Sequence, residues 1–169
     1  MASANLPYYI TSPILSALLE AECFDSVTVM VQKEVAQRIA AKPGTADYSA
    51  FTVFCQFYAE PEILFDVPAH CFMPQPKVTS AVVKLNTRKE LPWQILDKDI
   101  FFRTVKASFA MRRKKLQNGL AAGLPELGKT GAGEVIAECG FDSNVRGETL
   151  DIPQFAAIAN AIARRKGHV

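Results

Sequence analysis

The sequence predicts an α/β sheet followed by an all-helical region. Three observations carry that reading. Val27-Thr28-Val29-Met30-Val31 is a β-branched run with apolar residues on both faces, which suits a strand covered on two sides. Apolar residues at helical spacing flank it, at Ile14, Leu15, Leu18 and Leu19 before and in residues 33–41 after. Beyond residue 98 the apolar residues recur only at helical intervals.

Composition sets the bounds. A chain of 169 residues can bury one real core or two small ones. Apolar residues are 49% and charged residues 21%, an ordinary globular balance. With a net charge of +2, a nucleic-acid partner has to be argued from where the charges sit. Cys23, Cys55, Cys71 and Cys139 form no CxxC pair, and each falls in or beside an apolar stretch. They read as reduced core residues of a cytosolic protein. His70 and His168 share no motif, so no metal site is expected. No stretch approaches the ~20 apolar residues of a membrane span. No basic segment followed by an apolar core opens the chain, so no signal peptide is expected and the location expected is cytoplasmic.

In chain order, Asn5-Leu6-Pro7-Tyr8 comes first. An Asn amide offers one acceptor oxygen and two donor hydrogens. Pro7 fixes φ and removes an N–H, which sets the direction of the carbonyl before it. Tyr8 supplies a flat apolar face. Together they could hold a planar base with an exocyclic amine; they equally suit a polar turn before a helix. That helix starts at Thr11-Ser12-Pro13, where Thr11 or Ser12 can cap and Pro13 suits the first turn, and it runs to about Ala21. Its N-terminus places Asn5 to Tyr8 where binding sites are common.

Residues 26–32 form the strand already described. Residues 33–41 are helical, with Val35, Ile39 and Ala40 inward, and Pro43-Gly44 stops them. Residues 48–58 are a second helix, apolar at Phe51, Phe54, Cys55 and Tyr58. Residues 62–67 read as a strand. Phe72-Met73-Pro74-Gln75-Pro76-Lys77-Val78-Thr79-Ser80 follows; its alternate prolines cannot join a central strand and hold an extended, stiff loop. Such a loop is also a common connector. Residues 80–85 resume as a strand.

Residues 86–98 are polar and aperiodic, and a domain boundary is placed there, with the linker at 89–98. Asp99 can cap the next helix, which bears Ile100, Phe101, Val105 and Phe109. Arg103, Lys106, Arg112, Arg113, Lys114 and Lys115 lie in or just beyond it without an acidic interruption. Such a set suits a phosphate backbone, and equally a solvated helix face. Residues 119–133 read as a Gly-rich connection and 134–139 as a short helix ended by Gly140. Arg146-Gly147-Glu148 forms a polar turn. Asp151 caps a last helix with Pro153 in its first turn and Phe155, Ile158 and Ile162 inward. Arg164-Arg165-Lys166 complements that helix's dipole.

Taken jointly, several stretches resemble the C-terminal two-thirds of the small-subunit ribosomal RNA adenine dimethyltransferases, the KsgA (RsmA) family. They are Asn5-Leu6-Pro7-Tyr8-Tyr9-Ile10, Met30-Val31-Gln32-Lys33-Glu34-Val35-Ala36-Gln37-Arg38 and Phe72-Met73-Pro74-Gln75-Pro76-Lys77-Val78-Thr79-Ser80-Ala81-Val82. Further on, Phe109-Ala110-Met111-Arg112-Arg113-Lys114-Lys115-Leu116 and Arg146-Gly147-Glu148-Thr149-Leu150 match as well. Their order and spacing cover nearly the whole chain.

The resemblance implies the end of a Rossmann-like methyltransferase sheet in residues 1–88, closing with an antiparallel pair of 62–67 and 80–85. It implies a small helical domain in 99–169 that docks on RNA and the small ribosomal subunit. The implied activity is methyl transfer from S-adenosylmethionine to N6 of two adjacent adenines in a small-subunit rRNA hairpin loop. Asn5, Leu6, Pro7, Tyr8 and Phe72 would be the catalytic residues, with Asn5 also bordering the cofactor. Asn5 and the Leu6 carbonyl would accept the amine's hydrogens, and Tyr8 and Phe72 would stack on the base. Arg103, Lys106, Arg112, Arg113, Lys114, Lys115 and Arg146 would bind RNA. A monomer is expected. Family members carry a further glycine-rich, cofactor-holding segment that this sequence does not show, so a truncated form is expected. Two other readings stand beside it: a non-catalytic RNA- or ribosome-binding fragment, and a large-subunit rRNA adenine methyltransferase of the macrolide-resistance type.

Overall fold

The computed structural model describes residues 1–167. The chain divides into two compact units: Met1–Lys42 with Phe54–Leu91, and Pro43–Val53 with the chain from Pro92 onward. A contiguous division at residues 89–98 therefore needs one amendment, because 43–53 packs with the helices. Tyr48 is what carries it there. The ring is buried, its hydroxyl donates to the Leu150 carbonyl at 2.8 Å, and its edge meets Phe109 at a centroid distance of 5.6 Å. Desolvation, with Asp151 nearby, pushes the phenol well above its ordinary pKa.

The first unit is built on a four-stranded sheet. Its strands are β1 (Ala2–Asn5), β2 (Ser26–Gln32), β3 (Ala59–Val67) and β4 (Ser80–Thr87), in the order β1-β2-β4-β3. β1 runs parallel to β2, and β4 runs antiparallel to both β2 and β3. Alternation sorts the two faces. Val27, Val29, Val31, Ala81, Val83 and Leu85 are buried, whereas Thr28, Met30, Val82 and Lys84 are half-buried. The even coverage expected of β2 is thus uneven. β3 begins straight after the preceding helix, slips register between Ile63 and Phe65, and lies at the sheet edge.

Helices α1 (Thr11–Glu20), α2 (Lys33–Ile39) and α3 (Ala50–Tyr58) accompany the sheet; α3 starts in the second unit and ends in the first. α1 buries Leu15 and Leu19. α2 buries Ile39, as expected, together with Ala36, and leaves Val35 and Ala40 half-buried. α3 buries Val53, Cys55, Phe57 and Tyr58. Of the four cysteines only Cys55 is a core residue, and burial raises its thiol pKa. Cys139 is partly buried. Cys23, in the irregular stretch between α1 and β2, and Cys71, at the end of the 3₁₀ turn Ala69–Cys71, are exposed.

The second unit is helical: α4 (Lys98–Ala110), α5 (Leu116–Gly123), α6 (Gly128–Glu138) and α7 (Ile152–Arg165). Asp97, not Asp99, caps α4, accepting from the Ile100 N–H at 2.9 Å. The stretch expected to be a Gly-rich connection is largely α5 and the start of α6. Two of its glycines are packing sites: a Cβ on Gly119 would lie 2.6 Å from the Ala107 carbonyl oxygen, and one on Gly123 would lie 2.4 Å from the Ala107 Cβ. Spaced four apart on one face, they let α5 approach α4 closely. α7 starts as expected, with a capping box between Asp151 and Gln154, and buries Phe155, Ile158 and Ile162. Among the described residues no helix is long and apolar enough to cross a membrane.

Candidate functional site

The end of β1 makes a corner in the first unit. Leu6 is 5% exposed and its N–H donates to the Met30 carbonyl at 3.3 Å, which anchors the corner to the sheet. Pro7 then turns the chain into a 3₁₀ turn, Tyr8–Ile10, that feeds α1. Thr11 does not cap the helix. Its hydroxyl reaches back to the Pro7 carbonyl at 3.1 Å and the Tyr8 carbonyl at 3.4 Å, and the Ile10 N–H also donates to the Pro7 carbonyl. The Pro7 carbonyl is thereby occupied. Among the described residues, neither the Leu6 carbonyl nor the exposed Asn5 side chain has a hydrogen-bond partner.

The loop before β4 forms the opposite wall. After a 3₁₀ turn at Ala69–Cys71 the chain extends at Phe72, and its alternate residues Phe72, Pro74 and Pro76 share one side. Asn5, Leu6, Pro7 and Tyr8 join these three around an open cleft of about 310 Å³. That is the low end of the ~300–1000 Å³ typical of small-molecule sites. Residues 64 positions apart in sequence thus line one space. The Tyr8 hydroxyl is held by the Ser80 hydroxyl at 2.6 Å, leaving the ring half-buried. Sequence reasoning gave Pro74, Pro76, Thr11 and Ser80 no part in the site. The alternation of 72, 74 and 76 was the available signal for the prolines; nothing local signalled Ser80.

Chemically the cleft is one amide, one phenol and five apolar side chains. It can accept hydrogens from an amine at Asn5 and Leu6 and sandwich a flat ring. It offers no carboxylate and no cation. Among the described residues no cluster of His, Cys, Asp or Glu could hold a metal, and His168 lies outside them.

The basic residues belong to the second unit. α4 ends at Ala110, so residues 112–115 occupy the turn before α5 rather than a helix face. Arg113, Lys114 and Lys115 are exposed there, whereas Arg112 is half-buried. Arg103 is paired with Glu126 at 2.8 Å. Arg112 donates through Nε to Glu148 at 2.6 Å and through its guanidinium to the Thr45 carbonyl at 3.0 Å. Arg146 lies 3.9 Å from the same Glu148. Lys106, Arg113, Lys114 and Lys115 are exposed, and among the described residues they have no acidic partner. Lys114 also lines a shallow depression with Met111, Asn118, Ala121 and Ala122. At the end of α7, Arg165 pairs with Glu134 and Glu138 and Lys166 with Glu126, so these charges do more than face the helix dipole.

A ribosomal RNA small subunit methyltransferase A of Geobacillus kaustophilus is 48% identical over 166 residues, which are 96% of this chain and 57% of that protein. Its counterpart in Desulfitobacterium hafniense is 49% identical over 161 residues, 95% of this chain and 57% of that protein. The chain therefore spans a little over half the length of the curated relatives it matches. A crystal structure of a dimethyladenosine transferase from Plasmodium falciparum superposes with a TM-score of 0.83 at 25% identity, covering 98% of this chain and 66% of that one. The 23S rRNA methyltransferase ErmE shares the fold, with a TM-score of 0.65 at 24% identity over 94% of this chain and 63% of that one. With the family model for ribosomal RNA adenine dimethylase matching residues 1–164, the chain belongs to that family.

Proposed function

We propose that this chain carries the base-holding and RNA-docking parts of an adenine N6-dimethyltransferase acting on two adjacent adenines in a hairpin loop of small-subunit rRNA. The observation that carries the reading is the cleft itself, with Asn5, Leu6, Pro7 and Tyr8 on one side and Phe72 on the other. An unpaired adenine placed there has its faces against Tyr8 and Phe72. Its exocyclic amine meets the Asn5 side-chain oxygen and the Leu6 carbonyl. The lone pair of that nitrogen is delocalised into the ring, which makes it a poor nucleophile. Two acceptors on its hydrogens draw it toward a tetrahedral shape and stabilise the positive charge it develops on accepting a methyl group.

S-adenosylmethionine is the methyl donor this reading calls for, and it supplies an already activated methyl group. The described residues fit only its border. Asn5 is at hand, but the cleft has no carboxylate for a ribose diol or an ammonium group. No step through the cofactor is derived from these residues. That same composition favours a second reading for the chain on its own, a module that binds RNA without catalysis. The small-subunit assignment follows the relatives' names; the small ribosomal subunit as partner is part of the proposal, as are the RNA contacts of Lys106, Arg113, Lys114 and Lys115.

The base-holding role is tested with two hairpin RNAs, one carrying adenines in the loop and one carrying purine, which lacks the amine. The adenine hairpin is expected to bind the tighter by roughly 2- to 10-fold, the worth of a hydrogen bond or two. Equal affinities would remove the amine-accepting role from Asn5 and Leu6. Isothermal titration with S-adenosylmethionine separates the two readings: measurable affinity for the 169-residue chain favours the enzyme, and none favours the module.

A further inference from the structure

We propose that Ser80 is a positioning residue that sets the direction of the Tyr8 ring in the cleft, a role that rests on reading that ring as a stacking face for a base. The two hydroxyls are 2.6 Å apart across 72 positions of sequence. They are unequal partners. Ser80 is fully buried and opens β4, where it pairs with Gln32 of β2 on one side and Val67 of β3 on the other. It is as fixed a point as the sheet provides. Tyr8 stands on a three-residue 3₁₀ turn, half-exposed, with its ring facing open space.

A tyrosine ring swings about its first side-chain torsion, and the hydroxyl is the far end of the axis that swings. Pinning that end to a buried oxygen holds the axis while leaving rotation about it free. The ring keeps one wall of the cleft in place before any base arrives, so less ordering remains to be done on binding. A stacking tyrosine without such a tether has to be ordered by the base. The Thr11 hydroxyl does similar work on the backbone below, holding the Pro7 and Tyr8 carbonyls.

The test uses the 169-residue chain at saturating concentration and a hairpin RNA with 2-aminopurine in its loop, a base that keeps both flat faces but not the 6-amine and whose fluorescence falls when it stacks on an aromatic ring. Variants are Tyr8→Ala, Tyr8→Phe, Ser80→Ala, Ser80→Thr and the double Tyr8→Phe, Ser80→Ala. Tyr8→Phe keeps the ring and does not touch the sheet, so it reports even if a buried Ser80 variant folds poorly. The wild-type chain is expected to quench and Tyr8→Ala to lose the quench. Ser80→Ala and Tyr8→Phe should each bind roughly 2- to 10-fold more weakly, with a smaller quench at saturation. The double variant should be no worse than either single one, and Ser80→Thr should restore the wild-type amplitude. A saturating quench reports stacking geometry, which a merely structural Ser80 would not change.

Wild-type quenching in both Ser80→Ala and Tyr8→Phe, with loss in Tyr8→Ala, would overturn the tether and leave base stacking intact. Losses that simply add in the double variant would overturn it as well. No quench by the wild-type chain would end the stacking role and the tether with it.

Discussion

Arg112 and Glu148, 36 positions apart, are joined at 2.6 Å, and the same guanidinium holds the Thr45 carbonyl at 3.0 Å. Glu148 also accepts the Gly44 N–H through its own carbonyl at 2.8 Å. One of the cations expected to bind RNA therefore ties residues 43–53 into the helical unit.

The expected consequence is a split between Arg112 and its neighbours. Arg112→Ala should lower stability by about 1 kcal/mol, the upper range for a pair whose side chains stay partly solvated, and Tm by about 2–4 °C. Its effect on RNA affinity should be small. Replacing Arg113, Lys114 and Lys115 together by Ala should leave Tm nearly unchanged. It should flatten the dependence of log Kd on log salt by about 0.7–0.9 for each phosphate that is no longer neutralised. Fluorescence anisotropy with a hairpin RNA over a salt series, beside thermal melts, checks both. An unchanged slope in the triple variant would return the turn to an ordinary solvated surface.

Two glycines of the helical unit should respond oppositely to the same change. On Gly119 a Cβ would lie 2.6 Å from the Ala107 carbonyl oxygen, a backbone atom that cannot yield cheaply. Gly119→Ala should destabilise by about 1–3 kcal/mol. On Gly131 a Cβ would meet only the Leu127 side chain, at 3.8 Å. Gly131→Ala, inside α6, should stabilise by about 0.4–1 kcal/mol through the unfolded chain and helix propensity. Urea midpoints of the two variants decide the matter.

These glycines also show where the sequence was legible and where it was not. β2 stood out because Val27, Thr28, Val29 and Val31 are β-branched in one run, and α7 because Asp151 and Pro153 give its start a local signature. α5 was hidden because Gly119 and Gly123 read as breakers, when their lack of a side chain serves a close approach to Ala107 that only the fold supplies. Asp97 and Asp99 are both plausible caps by type, and only backbone geometry chooses between them. In the cleft, Asn5 and Tyr8 stood out as a rigid corner with an aromatic beside it, whereas Phe72 entered only through the family resemblance. Ser80 was not legible, since a serine opening a strand is commonplace until Tyr8 is seen beside it. For the cations, residue type was legible and availability was not: Arg103 and Arg112 have acidic partners more than 20 positions away.

Acid should loosen the helical unit through Glu126. Lys166 and the backbone first, and then Arg103, hold its carboxyl at about 2, against an ordinary value of 4.5. A carboxylate depressed in the folded state contributes stability above the unfolded pKa and loses it as pH falls through the folded one. The contribution should thus be present above about pH 4.5 and fade toward pH 2. Glu126→Gln should flatten that stretch of the stability curve and leave the curve's shape near neutrality unchanged. Urea midpoints measured between pH 6 and pH 2.5 give the comparison; parallel curves for parent and variant would show that the pair is too solvated to matter.

Asn5 should matter to turnover far more than to affinity. Its side chain is exposed at the cleft and, in the proposed pose, meets the base only through the amine, whereas phosphate contacts elsewhere are expected to supply the bulk of RNA affinity. Joined to the part of the Geobacillus kaustophilus relative that this chain does not cover, the segment is expected to support methyl transfer to adenine N6 in small-subunit rRNA. In that chimera Asn5→Ala should lower kcat by about 10²-fold, the scale of losing one preorganised hydrogen-bonding group. RNA affinity should fall by only about 2- to 3-fold, the low end of one hydrogen bond's worth for an exposed amide. Labelled methyl incorporation and anisotropy on the same preparation read the two quantities. A variant with parental kcat would take Asn5 out of catalysis and leave Leu6 as the cleft's sole acceptor for the amine.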